Sequence, residues 1–357
     1  MASEINFPLY SPGIDCEINR NSLLVAADLR YEKSVLAVYS CLGGKLSETA
    51  VSEYVTTEFS DFRAMLKHFL SEQQITTEVK VAVAVPGPVI SGSCHTPNLP
   101  WPVDKQKIQS ELGISKVSVI NDLEAVAYSL ACAKSQQIEM LYGAEAAVPR
   151  GNVAILAPGN GLGEAGLFFD GQFLRPFATE GGHTEFSPRN DDEVEFYRYL
   201  HEIYGLVTWE SVLSKKGLYN IYRFLRDIGR HEEGESLSRR VQNEPFLEVL
   251  ASEARAGQSR LVNLTVELFW AFLAREANSM VLKLKATGGL IITGEIIEVL
   301  LPFCNREKFY RDFMISDRME RLLKGIPIYV MRNEKEILEG AAYYGAFYEK
   351  GERTSEK

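Results

Sequence analysis

Asn121-Asp122 closes a short apolar run, Val117 to Ile120. A carboxylate at a strand end can take a proton from a substrate hydroxyl, and the adjacent amide can orient that hydroxyl. Both side chains are also good helix caps, so a purely structural reading competes. Glu180-Gly181-Gly182-His183 offers an acceptor and a mixed donor–acceptor around two glycines. Glycines there let the backbone approach a ligand closely or adopt positive φ. The set suits a polyhydroxylated ligand, and a turn with a surface histidine is the alternative. Metal binding by His183 is unsupported, because companion ligands are absent. Gly159-Asn160-Gly161-Leu162-Gly163 follows a strand-like run and could turn successive amides toward an anion. It lacks the Lys-Ser/Thr ending of a Walker loop, and its third glycine is wrongly spaced for a dinucleotide fingerprint. Glu210, in Thr208-Trp209-Glu210-Ser211, reads by default as a solvated carboxylate on a helix, and Trp209 reads as core.

These residues need elements to hold them. The sequence predicts strands at Leu23–Ala27 ending on Asp28, Ser34–Tyr39, Val79–Val85, Val117–Ile120, Val153–Leu156, Leu290–Thr293 and Ile326–Val330. Helical spacing marks 58–73, 123–133, 192–203, 217–228, 236–256, 263–285 and 337–348. A hairpin is expected across Phe169-Asp170-Gly171-Gln172. Strands alternating with helices argue an α/β construction. Open α/β sheets bind ligands beyond the C-terminal ends of their strands. Asp28, Asn121-Asp122, Gly159 to Gly163 and Gly294 all take such positions.

The 357 residues are long for a single core, which makes two lobes the natural expectation. A net charge of −10 argues against a broad nucleic-acid footprint. Five scattered cysteines without a CxxC read as reduced thiols. No basic-then-apolar leader and no long uncharged apolar run appear, so a cytoplasmic protein without membrane attachment is expected.

In order, Ala84-Val85-Pro86-Gly87-Pro88, Thr96-Pro97-Asn98-Leu99-Pro100-Trp101, Asn121-Asp122-Leu123-Glu124-Ala125, Pro158-Gly159-Asn160-Gly161-Leu162-Gly163 and Glu180-Gly181-Gly182-His183-Thr184 resemble the bacterial glucokinases of the hexokinase/actin-like ATPase superfamily. The resemblance runs from about Leu23 to Phe347. It implies a two-lobed actin-like (ribonuclease H-like) hexokinase fold with a ligand cleft between lobes. Residues 1–22 would be an N-terminal extension, 23–133 plus 334–357 the small lobe, and 134–333 the large lobe. It implies glucose or a related hexose as ligand, with Asp122 as the base toward the 6-hydroxyl. Asn121, Glu180, His183 and Glu210 would bind the other hydroxyls. Asp28, Gly159, Asn160, Gly161 and Gly294 would serve the nucleotide and phosphates, with ATP and Mg2+ as cofactors and Asp28 as the Mg2+ organiser. Another phosphate donor and a homodimer are left open.

The nucleotide side departs from that pattern. The first phosphate loop of the family reads Asp-x-Gly-Gly-Thr, where this chain has Asp28-Leu29-Arg30-Tyr31-Glu32. Arg30 or Lys33 offers a compensating positive charge. Asn160 replaces the usual threonine, Glu164 follows at a usually small or apolar position, and Glu295 replaces a glycine after Gly294. Two functions follow: phosphorylation of glucose at O6, or a catalytically impaired sugar-binding or regulatory protein.

Overall fold

The computed structural model describes residues 7–143, 150–229 and 231–348. Parts of the expected extension (1–6), large lobe (144–149 and 230) and small lobe (349–357) lie outside the described residues. The chain divides into two compact units. The first holds Ser135–Gly166 and Thr179–Arg332, and the second holds the described parts of Ile5–Lys134, Leu167–Ala178 and Asn333–Lys357.

The second unit is built on five strands: β1 (Asn21–Asp28), β2 (Lys33–Leu42), β3 (Lys45–Val55), β4 (Lys80–Val85) and β5 (Val117–Asn121). Their spatial order is β3-β2-β1-β4-β5. β1, β4 and β5 run parallel, while β2 and β3 return antiparallel. Every residue of β4 is buried, which fits a parallel strand covered on both faces. Helix α1 (Phe62–Glu72) starts where the Asp61 side chain accepts from the Ala64 amide. It buries Phe62, Met65, Leu66 and Phe69, the spacing of one helical face. Helix α2 (Asp122–Ser129) follows β5 directly. The closing helix, here α6 (Glu336–Phe347), lies so close to α2 that a Cβ on Gly340 would stand 1.7 Å from the Ala125 carbonyl oxygen. A small residue at that point is therefore obligatory.

The other large sheet has the order β9-β8-β7-β10-β11-β6, from β6 (Ile138–Tyr142), β7 (Val153–Pro158), β8 (Leu162–Phe169), β9 (Leu174–Thr179), β10 (Gly289–Ile292) and β11 (Ile328–Met331). β7, β10 and β11 are parallel, with β6 antiparallel to β11. Counted along each sheet, both sheets place their first five strands, β6 apart, in the order 3-2-1-4-5. The hairpin Leu167–Ala178, which takes in the end of β8 and most of β9, groups with the second unit. Its turn is set by Asp170, whose Oδ1 accepts from the Gln172 and Phe173 amides, and by Gly171 at φ 100°. The core gathers around α5 (Arg260–Leu284) with α3 (Asp191–Tyr204) and α4 (Lys215–Asp227).

Several segments differ from the sequence reading. The run 236–256 is two helices, Glu235–Asn243 and Phe246–Ala256, because Pro245 cannot continue a helix. β3 and the helix Lys105–Leu112 carry weak patterns. β3 lies at a sheet edge without a fully buried residue, and the helix buries only Ile108. Residues 7–22 pack into the second unit, burying Phe7, Leu9 and Asn19, with Tyr10 N donating to the Leu174 carbonyl. All five cysteines are free, and no helix among the described residues is long and apolar enough to cross a membrane.

Candidate functional site

In the second unit the parallel strands bring their C-terminal ends to one edge. Asp28 is in register with Ala84, and Val85 with Asn121. Three motifs meet there. Asn121 Nδ2 donates to the Gly87 carbonyl at 3.2 Å, and its Oδ1 accepts from the amides of Leu123 at 2.9 Å and Glu124 at 3.2 Å. The cap reading of Asn121 is thus realised: one side chain both starts α2 and fixes the Pro86-Gly87-Pro88 turn. Thr96 Oγ1 and Asn98 Nδ2 both donate to the Pro86 carbonyl, at 3.3 and 3.4 Å. Asp122 is half-buried, and its Oδ1 accepts from the Leu123 amide at 2.9 Å. Next to it, burial pushes the Glu124 carboxyl up to about 7.

Asp28 lies at the same edge, and its partner is Arg30. The Arg30 Nε donates to both carboxylate oxygens, at 3.1 and 3.3 Å. Burial raises the Asp28 carboxyl above its ordinary value, against the pull of Arg30. Arg30 in turn feels Asp28 first, then Asp122 and Glu336 as further negative charges. The loop is anchored by Leu29 N to the Ala84 carbonyl (3.1 Å) and by Arg30 N to Ser34 Oγ (3.3 Å). Lys33, the other candidate compensating charge, pairs instead with Glu53 of β3 at 2.5 Å. A Mg2+ ion organised by Asp28 does not fit this arrangement, because the Arg30 Nε already meets both carboxylate oxygens.

In the first unit, Glu180, His183 and Glu210 come together. Gly181–His183 forms a single 3-10 turn, with Glu180 and His183 exposed. The strand-like 184–186 segment pairs with 207–209: Phe186 N donates to Val207 O at 2.9 Å and Trp209 N to Thr184 O at 3.0 Å. Glu210 N then donates to the Gly182 carbonyl at 2.8 Å. Glu210 is therefore in a turn and half-buried, which corrects its reading as a solvated helix carboxylate. Its Oε2 accepts from the Leu162 amide at 3.1 Å. The same oxygen would stand 2.5 Å from a Cβ on Gly161. An internal carboxylate thus serves an amide of the glycine-rich loop. Gly159 N is bonded to the Gly161 carbonyl at 2.8 Å, and Lys215 N donates to the Gly159 carbonyl at 2.9 Å. Gly294, at φ 101°, comes against the Pro158 carbonyl, where a Cβ would lie at 2.7 Å. Gly159, Asn160, Gly161 and Gly294 are consequently neighbours. Glu295 pairs with Lys215 at 2.7 Å across the same edge.

The two glycines of Glu180-Gly181-Gly182-His183 are explained by crowding rather than by backbone sign, since neither has positive φ. A Cβ on Gly181 would stand 1.8 Å from Glu164 Oε2, and one on Gly182 would stand 2.2 Å from the Leu162 carbonyl. Glu164 accordingly belongs beneath this turn. Burial pushes its carboxyl up to about 7, and burial with Glu164 nearby pushes Glu276 up to about 8. A further support was invisible as a motif. Arg275, only 6% exposed, pairs with Glu193 of α3, donates to the Ser187 carbonyl and lies 5.5 Å over the Trp209 ring. Its charge was one more in a long helix; only burial marks it as the tie between the Glu180 and Glu210 segments.

Comparison with known proteins agrees with this geometry. The family model described as Glucokinase matches residues 25–347. The chain is 30% identical over 339 residues to the glucokinase of Nostoc punctiforme, covering 91% of this chain and 99% of that protein. Solved structures share the fold: a glucokinase from an Antarctic psychrotroph (22% identity, TM-score 0.76, 90% of this chain and 98% of that one). The glucokinase of Balamuthia mandrillaris in complex with glucose is similar in fold as well (18% identity, TM-score 0.75, 91% and 93%). By the family model and by the 30% identity to the Nostoc punctiforme protein over nearly its whole length, the chain belongs to the glucokinase family.

Proposed function

We propose that the chain transfers a phosphoryl group from ATP, or another phosphate donor, to O6 of glucose. The observation that carries this reading is the placement of Asp122: a half-buried carboxylate at the end of a parallel strand, following an asparagine that is locked in place. In this reading Asp122 takes the proton of the 6-hydroxyl as that oxygen attacks the terminal phosphorus. Asn121, Glu180, His183 and Glu210 would accept from and donate to the remaining hydroxyls. Gly159, Asn160, Gly161 and Gly294 face the phosphate donor. The small lobe would be 23–133 plus 334–357 and the large lobe 134–333. Glucose as ligand is supported by the Balamuthia complex among the proteins of similar fold.

The test separates binding from chemistry. Positioned general-base action is worth about 10²–10⁴-fold in rate. Asp122→Asn should therefore lose that factor in kcat while calorimetry still detects glucose. Glu180→Ala and His183→Ala should mainly weaken glucose affinity. Near-normal kcat in Asp122→Asn would remove Asp122 from the reaction.

A further inference from the structure

The nucleotide-side departures in the second unit converge on one side chain. Asp28 is the residue from which a divalent ion would be organised, yet the Arg30 Nε reaches both of its oxygens. The Asp28 side chain is only 15% exposed, while the Arg30 side chain that meets it is 45% exposed. Arg30 has an exposed side chain on an anchored backbone. Its amide is bonded to Ser34 Oγ, and Ser34 Oγ is bonded in turn to Thr56 Oγ1 at 2.8 Å. The neighbouring Leu29 is buried and tied to β4. The backbone thus fixes where the guanidinium begins. Two further carboxylates, Asp122 and Glu336, add their negative potential at Arg30.

Negative charges that act on one another are relieved by a nearby cation or by protonation. A phosphate-site divalent ion is usually held by only one or two carboxylates, keeps several waters and is reluctant to give them up. A guanidinium is permanently charged, weakly hydrated and shaped to span a carboxylate. With one positive charge to the ion's two, it offsets the Asp28 carboxylate without any ion having to give up its waters.

We propose that Arg30 is the resident cation of this acidic cluster, matching Asp28 so that its carboxylate does not take up a divalent metal ion. The inference deepens the phosphotransfer reading, on which it rests only for the role expected of Asp28. It makes Arg30 a specificity-determining residue: any divalent ion in the reaction would arrive bound to the phosphate donor, not to Asp28. It also gives the departure from glycine at position 30 a physical purpose, since glycine would leave the carboxylate without a counter-charge.

The experiment is a Mn2+ titration of the full chain, without sugar or nucleotide, read by the loss of the free-ion electron paramagnetic resonance signal. Wild type should bind no Mn2+ through Asp28, so Asp28→Asn should leave its titration unchanged. Arg30→Gly should bind Mn2+ at least about tenfold more tightly than wild type, and Arg30→Gly/Asp28→Asn should lose that gain. Arg30→Gln, which keeps side-chain length, should show the same gain and covers the case in which the glycine variant does not fold. Tight Mn2+ binding by wild type that disappears in Asp28→Asn would overturn the proposal. So would folded Arg30 variants that bind no more Mn2+ than wild type. A wild type that phosphorylates nothing would sink the phosphotransfer reading but leave these titrations interpretable on their own.

Discussion

Glu276 lies in the middle of α5 with no exposed surface, and neither of its carboxylate oxygens accepts a hydrogen bond. The nearest opposite charge is Lys283 Nζ, 3.6 Å from Oε1 on a side chain that is largely in water. Burial, then the proximity of Glu164, pushes the group from 4.5 up to about 8. The sign follows directly. Below pH 4.5 the carboxyl is protonated whether folded or unfolded, and it adds no pH dependence. Between 4.5 and about 8 the folded chain holds a proton that the unfolded chain has released, so stability falls as pH rises. The slope approaches about 1.4 kcal/mol per pH unit, and across the window the loss is roughly 5 kcal/mol as an upper figure. Local relaxation and entering water reduce it. Glu164 and Glu124, each raised to about 7, act in the same direction. Glu164 and Glu276 titrate as a coupled pair, so the loss belongs to both. Glu276→Gln keeps the shape and removes the ionisation. Urea unfolding at pH 5, 6.5 and 8 should show wild type losing stability steadily and the variant losing about 2–4 kcal/mol less over that range. A wild type that is flat or more stable at pH 8, or a variant with the wild-type slope, would refute the account of this buried pair.

Gly181→Ala should destabilise the fold by about 1–3 kcal/mol, because its methyl group would meet the Glu164 carboxylate. Glu164→Ala in the same chain should recover part of that loss in urea midpoints, and a stable single variant would contradict the crowding. Glu210→Ala should free the Leu162 amide, raising its hydrogen exchange by about tenfold or more, since charged acceptors are strong partners. Unchanged protection of residues 159–163 would show that the glycine-rich loop does not depend on Glu210.

The strands that end on Asp28, Asn121 and Pro158 were legible because parallel buried strands are continuous apolar runs, and their ends carry the polar residues. β3 and Lys105–Leu112 were not, because half-exposed elements have little pattern to read. At the site, residue types were readable and partners were not. The Asn121 cap and the Asn121 site residue are one side chain in one place, which makes the two readings compatible rather than rival. The glycines of Glu180-Gly181-Gly182-His183 pointed to close approach, but the approaching groups are Glu164 and the Leu162 carbonyl. Arg275 and the Arg30–Asp28 pair depend on which charges the chain brings together, and spacing along the sequence does not carry that information.

The central claim is phosphoryl transfer to glucose, and phosphorus nuclear magnetic resonance of wild-type protein with glucose and ATP tests it most directly. The expected result is a resonance of glucose 6-phosphate growing as the terminal phosphate of ATP declines, with other phosphate donors examined in parallel. Glucose that binds in calorimetry while no donor yields a sugar phosphate would contradict the account and establish the chain as a sugar-binding protein on this fold.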